Sequence, residues 1–240
     1  MSVHPLFAGR SATLASRIVA EVRAALFDKR YRPGEFLGTE KDLAARHGVS
    51  RIVARDALRT LEALGIVEIS RGAGGGARIT HGNPQLFAEG LAVQLELAAI
   101  DREEILAAQG AIEALAAELA ARKATATQVS RLHELVGEAE KLLGDLDAFT
   151  RSSLAFHLGV AEASGNRVLH YQLVSLQHVS WPNRNRTLNK AVARKILEAH
   201  RKLAGLIEAR DAAGAREFME AHVGMIRERR MSESRKSFCC

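Results

Sequence analysis

Arg51, Arg55 and Arg59 recur at intervals of four within GVSRIVARDALRTLEALGIV, residues 48–67. On a helix that spacing stacks three guanidinium groups on one face, with Ala54, Ala57, Leu58, Leu61 and Leu64 mostly on the other. A guanidinium is a planar fork of donors that grips guanine O6 and N7, or a phosphate, two bonds at a time. The chemistry on offer is non-covalent recognition of an acceptor-rich, negative partner. Taken alone, the stripe also reads as an ordinary solvated face, so its surroundings must decide. A second basic stretch, RGAGGGAR at 71–78, is glycine-rich. Its rival reading as a nucleotide-phosphate loop fails, because it lacks a Gly-Lys-Ser/Thr ending and no helix comes after it.

The elements around the stripe are punctuated by capping residues. Leu14, Ile18, Val22 and Leu26 predict a first amphipathic helix, which Pro33-Gly34 separates from the next element. Thr39 caps a short helix, EKDLAARH, that Gly48 ends; Val49 is expected as the buried turn residue and Ser50 as the next N-cap. IVEIS and ARIT, on either side of the glycines, read as two strands of a β-hairpin wing. Helix, tight turn, helix and wing is the arrangement that sets the start of the second helix in the DNA major groove. Ser50 then serves a phosphate, Arg51 and Arg55 the base edges, and Ile52 and Val53 the thymine methyl groups. Arg59 lies a turn further out, toward the backbone or solvent. Arg71 and Arg78 on the wing are placed to meet an adjacent groove or phosphates.

From residue 84 onward every apolar period is helical. Ile105, Ala108, Ile112, Leu115 and Leu119 form one stripe, and Val129, Leu132, Val136, Ala139 and Leu143 another. Val192, Ile196, His200, Leu203 and Ile207 form a third, and Ala215, Phe218, His222 and Met225 the last. Ser164-Gly165-Asn166 and Trp181-Pro182-Asn183 are read as stops. The fold class is therefore mainly α, a winged helix-turn-helix domain followed by an all-α bundle of six or seven helices. The expected divisions are 1–82 for the DNA-binding domain, 83–229 for the bundle and 230–240 for a disordered basic tail.

Charge respects the same division. Residues 1–80 carry a net +5, residues 81–226 a net −2 and the last fourteen a net +3. A basic N-terminal third beside a near-neutral remainder suits a polyanion binder with a separate second task. No stretch is apolar enough to span a membrane, and the opening MSVHPLFAGRSATLASR has no signal-peptide core. Cys239 and Cys240, adjacent at the C-terminus, form neither a disulfide framework nor a metal site by themselves. A cytoplasmic protein is expected.

RPGEFLGTEKDLAARHGVSRIVARDALRTLEALGIVEISRGAGGGARI resembles the winged-helix domain of GntR-type transcription regulators over about 50 contiguous residues. The resemblance implies DNA contacts at Lys41, Ser50, Arg51, Arg55, Arg71 and Gly72. Ile52-Val53 replaces the family's usual Thr-Pro and Ala54 its usual Val, which leaves the arginines and alters the expected operator. IEALAAELAARKAT, FHLGVAEASGN and the spaced EAH and EAHV are similar to the helical effector domain of the FadR-type branch, the FCD domain.

In that domain an Asp and three His usually hold a divalent metal, which by resemblance places His157, His200 and His222 as ligands. Imidazole suits ions of the zinc or nickel type. His200 and His222 do lie in the apolar stripes of two helices, and His157 borders a third, although a lone histidine on such a face is more often a core residue. The usual Asp is Ser153, and Gln109 stands where the family often carries an arginine for a carboxylate effector. An effector less anionic than the usual small acids is expected, and three neutral imidazoles would leave a bound divalent ion's +2 charge uncompensated.

The leading function is a homodimeric, sequence-specific DNA-binding regulator, a repressor whose operator affinity a small molecule in the bundle shifts. A metal-dependent hydrolase built on the three histidines is the alternative from another class, although no acidic general base is placed beside them. A non-specific architectural DNA-binding protein is the third.

Overall fold

The computed structural model describes residues 13–72, 74–180 and 188–237. Its contacts divide the chain into two units, Met1–Leu86 and Phe87–Cys240, so the first runs slightly past the expected end at 82. In the first unit α1 (Leu14–Phe27), β1 (Phe36–Gly38), α2 (Glu40–His47) and α3 (Arg51–Ala63) precede β2 (Val67–Ser70) and β3 (Gly76–Ile79).

The caps fall where side-chain chemistry puts them. Thr39 accepts from the Asp42 amide while Asp42 reaches back to the Thr39 amide, a reciprocal capping box for α2. Gly48 ends α2 in the left-handed region, φ 63°, which costs glycine no Cβ clash. Two residues later Ser50 Oγ accepts from the Val53 amide and starts α3. The wing is an antiparallel pair with Val67 opposite Ile79 and Ser70 opposite Gly76. The third strand, β1, adds to the other edge of β3, giving the order β1-β3-β2. Sequence patterning had not suggested β1. Ile18, Val22, Leu37, Leu43, Leu58, Leu61 and Ile79 close the core over the sheet and three helices.

Helix α4 (Pro84–Leu97) runs across the division at residue 86, and the second unit is otherwise helical among the described residues: α5 (Arg102–Lys123), α6 (Ala126–Lys141), α7 (Leu146–Ala163), α8 (Arg167–Ser180), α9 (Lys190–Glu208) and α10 (Ala212–Ser237). Helix α5 runs through its middle, packed on α7, α8, α9 and α10. The buried face of α5 is mostly alanine (Ala114, Ala116, Ala117, Ala120, Ala121), which lets neighbouring helices approach closely. Phe149 and Phe156 of α7, Leu203 and Ile207 of α9, and Met219 of α10 fill the space around it.

Three expectations need correction. On α5 the buried positions are Leu106, Gln109, Glu113 and the alanines, one step round from the predicted stripe, and Leu115 is exposed. On α10 Met219 and Val223 are buried while Met225 is exposed. Residues 230–237 continue α10 instead of forming a disordered tail, since no glycine or proline occurs after Gly224 to stop the helix. The predicted stop at Trp181-Pro182-Asn183 and the Cys239–Cys240 pair lie outside the described residues.

Candidate nucleic-acid interface and buried histidine site

On the first unit α3 and the wing flank a groove of about 500 Å³. Its lining includes Lys41, Arg51, Arg55, Arg59 and Arg71, a cationic surface interrupted by the carboxylates of Glu40 and Glu62. Arg51 is exposed in the first turn of α3, and its guanidinium has no hydrogen-bond partner among the described residues. Ile52 is 77% exposed. Arg55 donates through Nε to Glu40 Oε1 at 2.7 Å and through Nη2 to Glu40 Oε2 at 2.9 Å. The wing turn closes when the Gly75 amide donates to the Gly72 carbonyl at 2.9 Å. Gly75 must be glycine there, for a Cβ would lie 2.5 Å from the Ser70 carbonyl oxygen.

The second unit buries an unusual concentration of polar groups. Gln109 and Glu113 of α5, His157 of α7, His200 of α9 and His222 of α10 are all buried. Gln109 Nε2 donates to Glu113 Oε1 at 2.7 Å. Glu113 Oε2 lies 2.6 Å from His157 Nδ1, at ion-pair distance but out of line for a hydrogen bond. The far side of that ring, Nε2, stands 3.2 Å from His200 Nε2. One nitrogen from each of the three histidines lies within 4.8 Å of the others. His200 Nδ1 and His222 Nε2 have no hydrogen-bond partner among the described residues.

Burial, reinforced by the neighbouring His157 and His222, holds His200 well below the usual imidazole range. Burial and His157 lower His222 to about 4, against an opposing pull from Glu113. Burial pushes the Glu113 carboxyl up, but His157 and the Gln109 donor outweigh it and keep it below the ordinary value. The chemical result is a carboxylate backing one imidazole, with two further neutral rings offering lone pairs. Beside it lies a small cavity of about 60 Å³, lined by Gln109, Glu113, Thr150, Ser153 and His157 with apolar neighbours.

Residues 14–76 match the family described as bacterial regulatory proteins, gntR family, and residues 104–225 match the FCD domain. The chain belongs to the GntR family of transcription regulators, in the branch with an FCD domain. It is 33% identical over 223 residues to a putative L-lactate dehydrogenase operon regulatory protein of Escherichia coli, covering 89% of this chain and 84% of that one. It is 30% identical to the Uxu operon transcriptional regulator of the same organism, covering 92% and 89%. The regulator LutR of Bacillus subtilis is 26% identical, covering 80% and 90%. A solved Streptococcus agalactiae GntR protein superposes with TM-score 0.66 at 22% identity over 89% of this chain and 99% of that one, which shows a shared fold. The regulator thus takes the DNA-binding reading, and its family and relatives are transcription regulators in place of the hydrolase alternative.

Of the regulator's anticipated DNA-facing residues, Lys41, Ser50, Arg51, Ile52, Arg55, Arg71 and Gly72 are all on the surface. Val53 is not free to face DNA as Ile52 does: it is half-buried and packs against the core of the winged domain. Arg78 is held within the sheet, its guanidinium 5.2 Å over the Phe36 ring and Nη1 donating to the Gly34 carbonyl. In the bundle, His157, His200 and His222 meet as anticipated, with Gln109 and Ser153 on the adjoining cavity. The expectation that no carboxylate stands beside the histidines is wrong, because Glu113 does. Glu40 and Glu113 are the two site residues that sequence reasoning missed. Each is an acid on a different helix from its partner, and only the four-residue spacing of Gln109 and Glu113 hinted at either.

Proposed function

We propose that this chain is a cytoplasmic, homodimeric repressor that binds a pseudo-palindromic operator and is released by a small polar effector held in its bundle. The observation that carries the reading is a buried cluster of polar side chains beside a cavity, in a chain whose other unit bears a cationic groove. Buried imidazoles without partners cost stability, so such a cluster is retained for what it binds. No helix among the described residues is long and apolar enough to cross a membrane.

The three histidines suit a divalent ion of the zinc or nickel type, since His200 and His222 are uncharged and each has a nitrogen without a partner. When bound, such an ion supplies a Lewis acid that anchors an effector oxygen. Glu113 holds the Nδ1 side of His157, which turns Nε2 toward His200, and Gln109 steadies the carboxylate. Among the described residues lining the cavity there is no Lys or Arg. The effector is therefore a small molecule bound through hydroxyl or carbonyl groups, less anionic than a di- or tricarboxylic acid. Two relatives are named as regulators of an L-lactate dehydrogenase operon and of a Uxu operon, which favours an operon of small-molecule metabolism for this chain.

Selection of duplexes from a randomised pool tests the reading. The full-length protein is expected to enrich an inverted repeat and to sediment on it as a dimer, with two half-sites engaged by symmetry. A monomer at micromolar concentration, bound to a single half-site, would contradict it. On that duplex Ile52 is proposed to meet a thymine methyl. Replacing thymine with uracil there should weaken binding about fourfold, the equivalent of about 0.8 kcal/mol for one buried methyl group. Ile52→Ala should abolish this sensitivity, and an unaltered uracil response in that variant would remove the contact.

A further inference from the structure

We propose that Glu40 is a positioning residue for base recognition, a carboxylate that holds Arg55 in the orientation from which it reads a guanine. The inference rests on the proposed place of Arg55 at the base edges. Glu40 opens α2 and Arg55 lies in α3, fifteen residues on, so the turn at Gly48 brings the pair together. Both bonds to Glu40 come from one edge of the guanidinium, the edge bearing Nε and one hydrogen of Nη2. A guanidinium has five N–H donors in a fixed plane. One hydrogen of Nη1 and the second of Nη2 stay free on the end-on edge, which is the edge that fits guanine O6 and N7, while the other Nη1 hydrogen faces back toward Cδ.

Glu40 thus occupies the side of the fork that DNA does not need. An arginine on an exposed helix face otherwise samples many rotamers, and ordering it on binding costs free energy that a pre-set orientation removes. The Arg55 bonds, with the charges of Arg55, Arg59 and Arg51, hold the Glu40 carboxyl below its usual range against an opposing effect of burial. The carboxylate therefore remains charged wherever DNA binding is measured. Its drawback is repulsion of phosphates, so its gain must be in selectivity and not in overall affinity.

The test uses the duplex that the unmodified full-length protein enriches from a randomised pool, together with copies in which each guanine is replaced in turn. The guanine whose replacement no longer matters in Arg55→Ala is the one Arg55 reads. In Glu40→Gln, discrimination at that guanine should fall about tenfold, while binding to random duplex becomes tighter. Glu40→Asp keeps the charge at the helix start but shortens the reach by one methylene, and should lose the same discrimination. Thermal melting of both variants separates this loss from unfolding of α2. Discrimination retained at the Arg55 guanine in both variants would overturn the proposal. So would an equal gain on every duplex in Glu40→Gln, which would make Glu40 only a restraint on positive charge. If Arg55→Ala leaves every guanine preference intact, the proposal falls with Arg55's role. Failure to enrich any duplex would sink operator recognition itself.

Discussion

Arg51→Ala is expected to weaken binding to the selected operator by about 1–3 kcal/mol, from roughly fivefold to more than a hundredfold, with a much smaller loss on random duplex. The guanidinium stands in the first turn of α3, exposed, with no hydrogen-bond partner among the described residues. Unlike Arg55 it has no acid bracing it, so both edges of its fork are open to a partner. Its position is also unfavourable for the isolated protein. A cation at a helix N-terminus opposes the helix dipole by about 0.3–1 kcal/mol, and the first turn of α3 has no acid to compensate it. Arg51→Ala should therefore melt at the same temperature or slightly higher while losing the operator, which separates recognition from folding. Lys41, exposed on α2 at the same groove, provides the contrast. Lys41→Ala should weaken all duplexes evenly and reduce the salt dependence of binding by about one phosphate contact. Equal losses on operator and random duplex for Arg51→Ala would show a phosphate contact in place of base reading.

The N-terminal unit was legible because its signals are local. Thr39, Gly48 and Ser50 each act within four residues, and their caps stand as the residue types require. What escaped was non-local. Strand β1 is three residues long and is defined only by pairing with β3 about forty positions later. Val53 looked equivalent to Ile52, but a helix turns 100° per residue, which carries Val53 toward the core while Ile52 stays outside. The bundle shows the same limit in another form. An alanine-rich helix buried on several sides has little apolar contrast, so periodicity on α5 pointed one step away from the true interior. That single step is what hid Glu113, which the predicted stripe leaves off the interior face.

Glu113 changes what the histidine site should do with a metal, and Glu113→Gln is expected to lower divalent-metal affinity about 10–100-fold. The reasoning begins with charge. A divalent ion among three neutral imidazoles brings +2 into an apolar bundle, and Ser153, where the family's Asp would stand, neutralises none of it. Glu113 is fully buried and 2.6 Å from His157 Nδ1, so with an ion bound it would supply one negative charge behind His157 instead of at the ion. It also orients that ring and raises the basicity of Nε2. Glutamine preserves the volume but supplies neither the charge nor a second acceptor for the imidazole, while Gln109 can still donate to its carbonyl. The loss should therefore appear in metal binding and not in folding. Ser153→Asp should act in the opposite direction, since it places a carboxylate one helical turn before His157 on the cavity wall. His200→Ala should abolish stoichiometric binding. The measurement is elemental analysis of protein made without a histidine tag, followed by chelator competition with zinc or nickel on all four proteins. Affinity unchanged in Glu113→Gln would reduce that residue to a buried structural acid. Affinity unchanged in Ser153→Asp as well would show that neither carboxylate position governs the ion.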